Sequence, residues 1–116
     1  MAGPSQMIPV VFFKTKQGRE PVREWLRDLD RADRHEIGED IFAVQEGWPL
    51  GLPLCRSLGS GLWEIRSKLP SQRIARLIFA FNDGELLFLN GFIKKTQKTP
   101  PNEIALALTR LKETLK

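Results

Sequence analysis

Positive charge gathers late in the chain. Between Arg66 and Lys98 stand Arg66, Lys68, Arg73, Arg76, Lys94, Lys95 and Lys98, opposed in that stretch only by Asp83 and Glu85. Guanidinium groups offer a fixed fork of donors that fits phosphate oxygens, and ammonium groups act as mobile point charges. Residues of these types, packed this closely, bind anions. Their spacing places them on a sheet. Glu64, Arg66 and Lys68 alternate along one strand, so they share a side. Arg73 and Arg76 lie on the next strand, and Lys94 and Lys95 leave the end of the one after. Like charges on adjacent strands repel, so the cluster points to an anionic ligand. A solvated face with scattered charges is the alternative. Arg73 and Arg76 are three apart, which sends them to opposite faces unless a bulge re-aims one or one works from a strand end. Arg76 shares its face with Ile74 and Ile78, and a guanidinium in that setting needs a partner. Glu64 reads better as a cross-strand partner for Arg66 or Arg76 than as a base.

The acids concentrate instead between Glu20 and Glu46, so the chain is electrically lopsided. With 18 Lys+Arg against 14 Asp+Glu the net charge is +4, and nucleic acid is the first partner class to consider. Other chemistries lack their residues. One cysteine, Cys55, allows no internal disulfide, and one histidine, His35, cannot build a metal cluster. No metal and no cofactor are expected. The longest apolar run, Leu77 to Phe81, is too short to span a bilayer. Residues 1–7 read as a flexible leader without the charged and apolar regions of a secretory signal. No membrane association and a cytoplasmic location are the expectations.

The elements that must position the cationic cluster follow from periodicity. Val10-Val11-Phe12-Phe13 is a β-branched and aromatic run, hence a strand. Val22, Trp25, Leu26 and Leu29 form the stripe of a helix over Arg19 to Leu29, with Pro21 in its first turn. Ile37, Ile41 and Val44 mark a second helix from Asp33 to Glu46, with Asp33 as its cap and Gly47 as a left-handed end. The short link predicts an antiparallel helical hairpin. Trp48 to Pro53 carries two prolines and a glycine and reads as a loop. Three strands follow, over Leu62 to Leu69, Arg73 to Phe81 and Glu85 to Ile93. Asn82-Asp83-Gly84 makes a tight hairpin turn between the last two. Both later strands are apolar on both faces, so they should be central. Ile104, Leu108, Leu111 and Leu115 stripe a last helix from Asn102 to Leu115. The prediction is a single α+β domain over residues 8–116. It has an antiparallel sheet of about four strands, helices on one face, an N-terminal helical hairpin and a C-terminal helix.

Three stretches together carry a family resemblance. They are Gly61-Leu62-Trp63-Glu64-Ile65-Arg66, Arg73-Ile74-Ala75-Arg76-Leu77-Ile78-Phe79 and Gly91-Phe92-Ile93-Lys94-Lys95-Thr96-Gln97-Lys98-Thr99-Pro100. With Phe12-Phe13-Lys14-Thr15 and Pro21-Val22-Arg23-Glu24-Trp25-Leu26 before them, the chain from Val10 onward resembles the HigB-like, phage-derived branch of the RelE/ParE toxin superfamily. That resemblance implies a RelE-like fold and the toxin of a type II toxin–antitoxin pair. It implies entry into the ribosomal A site, cleavage of mRNA there, and a small helix-turn-helix antitoxin as partner. It assigns Arg66, Arg73, Arg76, Lys94 and Lys95 to the catalytic site, with Arg76 as a phosphate contact, and Lys98 to RNA binding; Lys68 is added to RNA binding because it shares the strand face of Glu64 and Arg66. Trp48, in its loop, could stack on a base, whereas Trp63 shares the face of Ile65 and reads as core. ParE-like members act on DNA gyrase instead, and a non-catalytic module that binds nucleic acid or antitoxin is a further reading.

The implied reaction is attack of a ribose 2′-OH on the adjacent phosphorus, leaving a cyclic phosphate and a 5′-OH. It needs a base, stabilisation of the phosphorane charge and an acid for the leaving oxygen. Arginine stays charged and can only stabilise. A lysine crowded by cations can exchange protons, which makes Lys68, Lys94 and Lys95 the candidates. The chain departs from its relatives in two places. It has no tyrosine, and Asn90 stands before Gly91-Phe92 where many relatives carry histidine. His35 falls on the helical hairpin and reads as a surface residue.

Overall fold

A computed structural model describes residues 7–116, so the expected leader lies outside the described residues except for Met7. The elements are β1 (Val10–Phe12), α1 (Pro21–Arg27), α2 (Arg31–Gly47), β2 (Cys55–Gly59), β3 (Leu62–Lys68), β4 (Ile74–Asn82), β5 (Glu85–Ile93) and α3 (Pro101–Thr114). The α+β class holds, with one sheet in the order β1-β5-β4-β3-β2. Strands β2 to β5 form the antiparallel meander. The meander leaves one edge of β5 open, and β1 fills it in parallel register, Val10 opposite Leu86 and Phe12 opposite Phe88.

The sheet has five strands rather than about four. The additional one is β2, whose Cys55-Arg56-Ser57-Leu58-Gly59 has no β-branched residue and is largely exposed. It is an edge strand held mainly by its backbone ladder to β3, which side-chain pattern does not reveal.

The helices do not share one face. Val22 of α1 and Val44 of α2 pack with Ile65, Leu77, Phe79, Leu86 and Phe88. Ala107 and Leu111 of α3 pack with Leu62, Ile78, Ala80, Leu87 and Leu89 on the other side. The two-sided apolarity of β4 and β5 requires this: an uncovered face would expose Ile78 and Leu89, both fully buried here.

Two local features fix how helices meet the sheet. Gly91 of β5 receives Trp25 of α1 so closely that a Cβ there would stand 2.5 Å from the indole ring. In β5 a bulge falls between Phe88 and Asn90, which pair with Phe79 and Ile78. The freed Leu89 carbonyl accepts from Arg110 Nη1 at 2.8 Å, and Asn90 Nδ2 donates to Glu103 at 2.9 Å. Both partners belong to α3, so the bulge is where that helix is tied down.

Two expected helix ends are different. Asp33 does not cap α2; it lies inside the first turn, and Asp30 holds the cap position without a side-chain bond. Gly47 is not left-handed; α2 closes at Trp48, with φ of −57°. The β4–β5 turn does use positive φ, 53° at Asp83 and 76° at Gly84. Among the described residues no helix is long and apolar enough to cross a membrane.

Candidate nucleic-acid interface

Register sets where the cations stand. Arg66 of β3 lies directly across from Arg76 of β4, with Glu64 opposite Ile78 on the same face. Two guanidinium groups side by side repel unless something intervenes. Glu64 does so for one of them. Its Oε1 accepts from Arg76 Nη1 at 3.1 Å, and both side chains are fully buried. Thr99 completes the arrangement. Its hydroxyl donates to Glu64 Oε2 at 2.7 Å and accepts from Arg76 Nη1 at 2.8 Å. Arg76 Nη2 donates to the Gln97 carbonyl at 3.2 Å. The segment after β5 is thereby clasped onto β4. A buried charge needs both a counter-charge and hydrogen bonds, and Arg76 has them from within the chain.

Arg66 has no such partner. It is half-buried and makes no side-chain hydrogen bond or ion pair among the described residues, and its Nε is fully buried without a partner, as is Arg76 Nε. Arg66 and Lys68 line a groove of about 560 Å³ with Ile74, Pro53, Leu54, Glu36 and Asp40. The two acids come from α2 and temper this groove.

A second groove of about 810 Å³ is lined by Gln72, Arg73, Ile74, Ile93, Lys94, Lys95, Thr96 and Gln97, with no carboxylate among them. Ile74 borders both grooves, so they adjoin. Arg73 stands just before β4 begins, at the strand end rather than in the ladder. Its guanidinium reaches Asp33 Oδ2 of α2 at 3.2 Å, and Ser71 N–H donates to Asp33 Oδ1 at 3.2 Å. Those bonds from Ser71 and Arg73 hold the Asp33 carboxyl below its ordinary range. Lys98 is exposed but lies outside the lining of either groove.

The sequence placed Arg66, Lys68, Arg73, Lys94 and Lys95 together, and the fold brings all five to the two adjoining grooves. Arg76 is separated from them by burial. Trp48 lines neither groove; its ring meets Trp63 and Phe79 edge-on at 5.0 and 5.2 Å, within the core under α1 and α2. His35 is exposed on α2 beside Glu39 at 3.4 Å. Asn90, bound to Glu103, faces α3. Sequence reasoning missed Thr99 and the Gln97 carbonyl. The signal that called for them was Arg76 itself, a charge among apolar neighbours. Among the described residues no cluster of His, Cys, Asp or Glu could hold a metal ion.

A family model for phage-derived Gp49-like proteins (DUF891) matches residues 24–112, which takes in every groove residue, Glu64 and Thr99. The chain belongs to this Gp49-like family. No curated protein matches it. The Gp49-like proteins are a RelE-like family of toxins from toxin–antitoxin modules, and membership implies an antitoxin as partner. For this Gp49-like chain, the adjoining cationic grooves are the feature to be explained.

Proposed function

We propose that this chain is a HigB-like toxin whose domain, residues 8–116, cleaves mRNA on the ribosome in the cytoplasm, and that a helix-turn-helix antitoxin restrains it. The observation that carries the reading is the carboxylate-free groove formed by Arg73, Lys94 and Lys95 beside the unpartnered guanidinium of Arg66. A strand of RNA carries one phosphate per nucleotide, so a run of cations of this kind follows its backbone. Arg66 stabilises the charge that develops on the phosphorane, and Arg73 holds the neighbouring phosphate while anchored through Asp33. One of Lys94 and Lys95 takes the 2′-OH proton as that oxygen bonds to phosphorus, and the other gives a proton to the 5′-oxygen as its bond to phosphorus breaks. Lys68 and Lys98 add attraction along the strand. Arg76 acts at one remove: it holds Gln97 and Thr99, and so fixes the segment on which the two lysines ride. The ribosome supplies the orientation of the 2′-OH.

A second reading has its own support. Glu64 is sealed by Arg76 and Thr99, and Asn90 is engaged by Glu103, so neither acts as a base, and the groove that Arg73, Lys94 and Lys95 line holds no carboxylate or imidazole. A module that occupies RNA without cutting it fits those facts. Primer extension on a translating extract separates the two. Cleavage within translated codons should appear with the wild-type chain. It should fall about 10²–10³-fold when Lys94 and Lys95 are both replaced by alanine, the usual cost of losing a positioned charged donor. Ribosome stalling without new 5′ ends would leave the binding module, and equal cutting of naked RNA would remove the ribosome from the reading.

A further inference from the structure

A third groove, of about 490 Å³, lies between β1, α1 and α2 and shares no residue with the two cationic grooves. Helix α2 is the wall between: Glu36 and Asp40 face the Arg66 side, while Arg34, Gly38 and Ile41 face this one. Phe12, Leu26 and Ile41 give it an apolar floor, and Arg23, Arg27 and Arg34 line it. Gly38 leaves it open, since a Cβ there would meet nothing within 4 Å. An exposed apolar side chain, Phe42, stands one turn on from Gly38 along α2. The outer side of β1 is a sheet edge with no strand against it among the described residues.

The charge here is unbalanced. Arg23 pairs with Glu20 at 2.8 Å and lies over the Phe12 ring. Arg34 donates to the Arg27 carbonyl at 3.0 Å and has no carboxylate. Arg27 is exposed and makes no side-chain hydrogen bond or ion pair among the described residues. Of the three guanidinium groups only Arg23 is ion-paired; Glu24 acts on Arg27 at longer range while bonded to Arg19, so positive charge is in excess around the apolar floor.

We propose that this groove seats the binding segment of the antitoxin, and that the segment is acidic with apolar anchors. Its large apolar side chains cover Phe12, Leu26 and Ile41, and its carboxylates meet Arg27, Arg34 and Arg23. Arginines rimming an apolar floor are the composition of a protein–protein seat. RNA would find the guanidinium groups but would leave the floor uncovered, so a peptide is the better fit. The proposal rests on the toxin–antitoxin reading, and it places the antitoxin's grip across α2 from the cationic grooves.

The test uses the full chain and a labelled synthetic helix-forming peptide with leucines along one stripe and glutamates beside them. Controls replace its leucines by serine or its glutamates by lysine, and an oligoribonucleotide serves as competitor. Fluorescence anisotropy should show the acidic leucine peptide binding wild type and both controls failing. Binding should weaken by about tenfold or more in Gly38→Trp, which fills the groove, and in Arg27→Glu, which inverts its charge. Thermal melts verify that both variants fold. Absence of binding to wild type, equal binding to folded Gly38→Trp, or equal binding of the serine peptide overturns the proposal. So does an oligoribonucleotide that competes in wild type and is lost in Arg27→Glu, since that makes the groove an RNA site. Growth arrest on induction is scored separately. Wild type and Gly38→Trp should both arrest cells; a harmless wild type defeats the toxin reading, whatever the peptide does.

Discussion

Arg76 shows how a functional and a structural need can look alike in a sequence. Its place among Ile74 and Ile78 announced that a partner was required, and Glu64 was legible as one by strand alternation. Thr99 was not legible, because its distance along the chain follows no periodicity; only the fold returns it to β4. With both ions fully buried, removing one leaves the other uncompensated. Arg76→Ala should therefore lose about 3–5 kcal/mol of stability, read from the urea midpoint. Loss of the proposed RNA cleavage in that variant would then report unfolding unless the melt were intact. Thr99→Val gives a cleaner probe. It removes the hydroxyl that serves Glu64 and Arg76, at a cost of about 1–3 kcal/mol. Amide exchange over residues 94–99 should speed up, whereas Lys95→Ala should leave it unchanged. Protection that persists in Thr99→Val would mean the clasp does not hold the segment.

At the scale of elements, the sequence identified what covers the sheet but not where. Apolar stripes marked all three helices, and two-sided apolarity marked β4 and β5 as central, yet the helices were expected on one face and in fact cover both. The edge strand β2 escaped because its stability comes from backbone pairing. The seat of α1 escaped too, since nothing in Gly91 alone says that an indole lies on it. Gly91→Ala should cost about 1–3 kcal/mol through the clash with Trp25. Gly38→Ala, in open space on α2, should gain about 0.5–1 kcal/mol from helix propensity. Opposite shifts in two glycine variants would be read from the same denaturant series. The tie between α2 and the β3–β4 turn should show in pH. Asp33 has a lowered pKa, so its contribution is present above the ordinary value of 3.8 and is lost as pH falls through the depressed one. Asp33→Asn should flatten the acid limb of the stability curve, and an unchanged limb would deny the tie.

For the whole molecule, Cys55 offers a global reporter. Burial, with Asp40 nearby, pushes its thiol from 9.0 up to about 11. The folded thiol should resist disulfide reagents at neutral pH and react only as the chain opens. Stability should also decline as pH climbs from 9.0 toward about 11, because only the unfolded thiol ionises there; Cys55→Ala should remove that decline. Rapid labelling of the native protein would show that the β2 edge opens locally. The parallel pairing of β1 with β5 has a consequence for synthesis. Val10 must wait for Leu86 before it has its strand partner, and Arg76, already preceded by Glu64, must wait for Thr99 to complete its set. Chains emerge from the N-terminus at about 5–20 residues per second, so β1 stays unpaired while the chain out to β5 is made. The sheet closes only once β5 is made, and the lysine-bearing segment locks only once Thr99 is. On the proposed reading, a toxin directed at ribosomes would thus stay unfinished while its own ribosome still holds the segment that completes it.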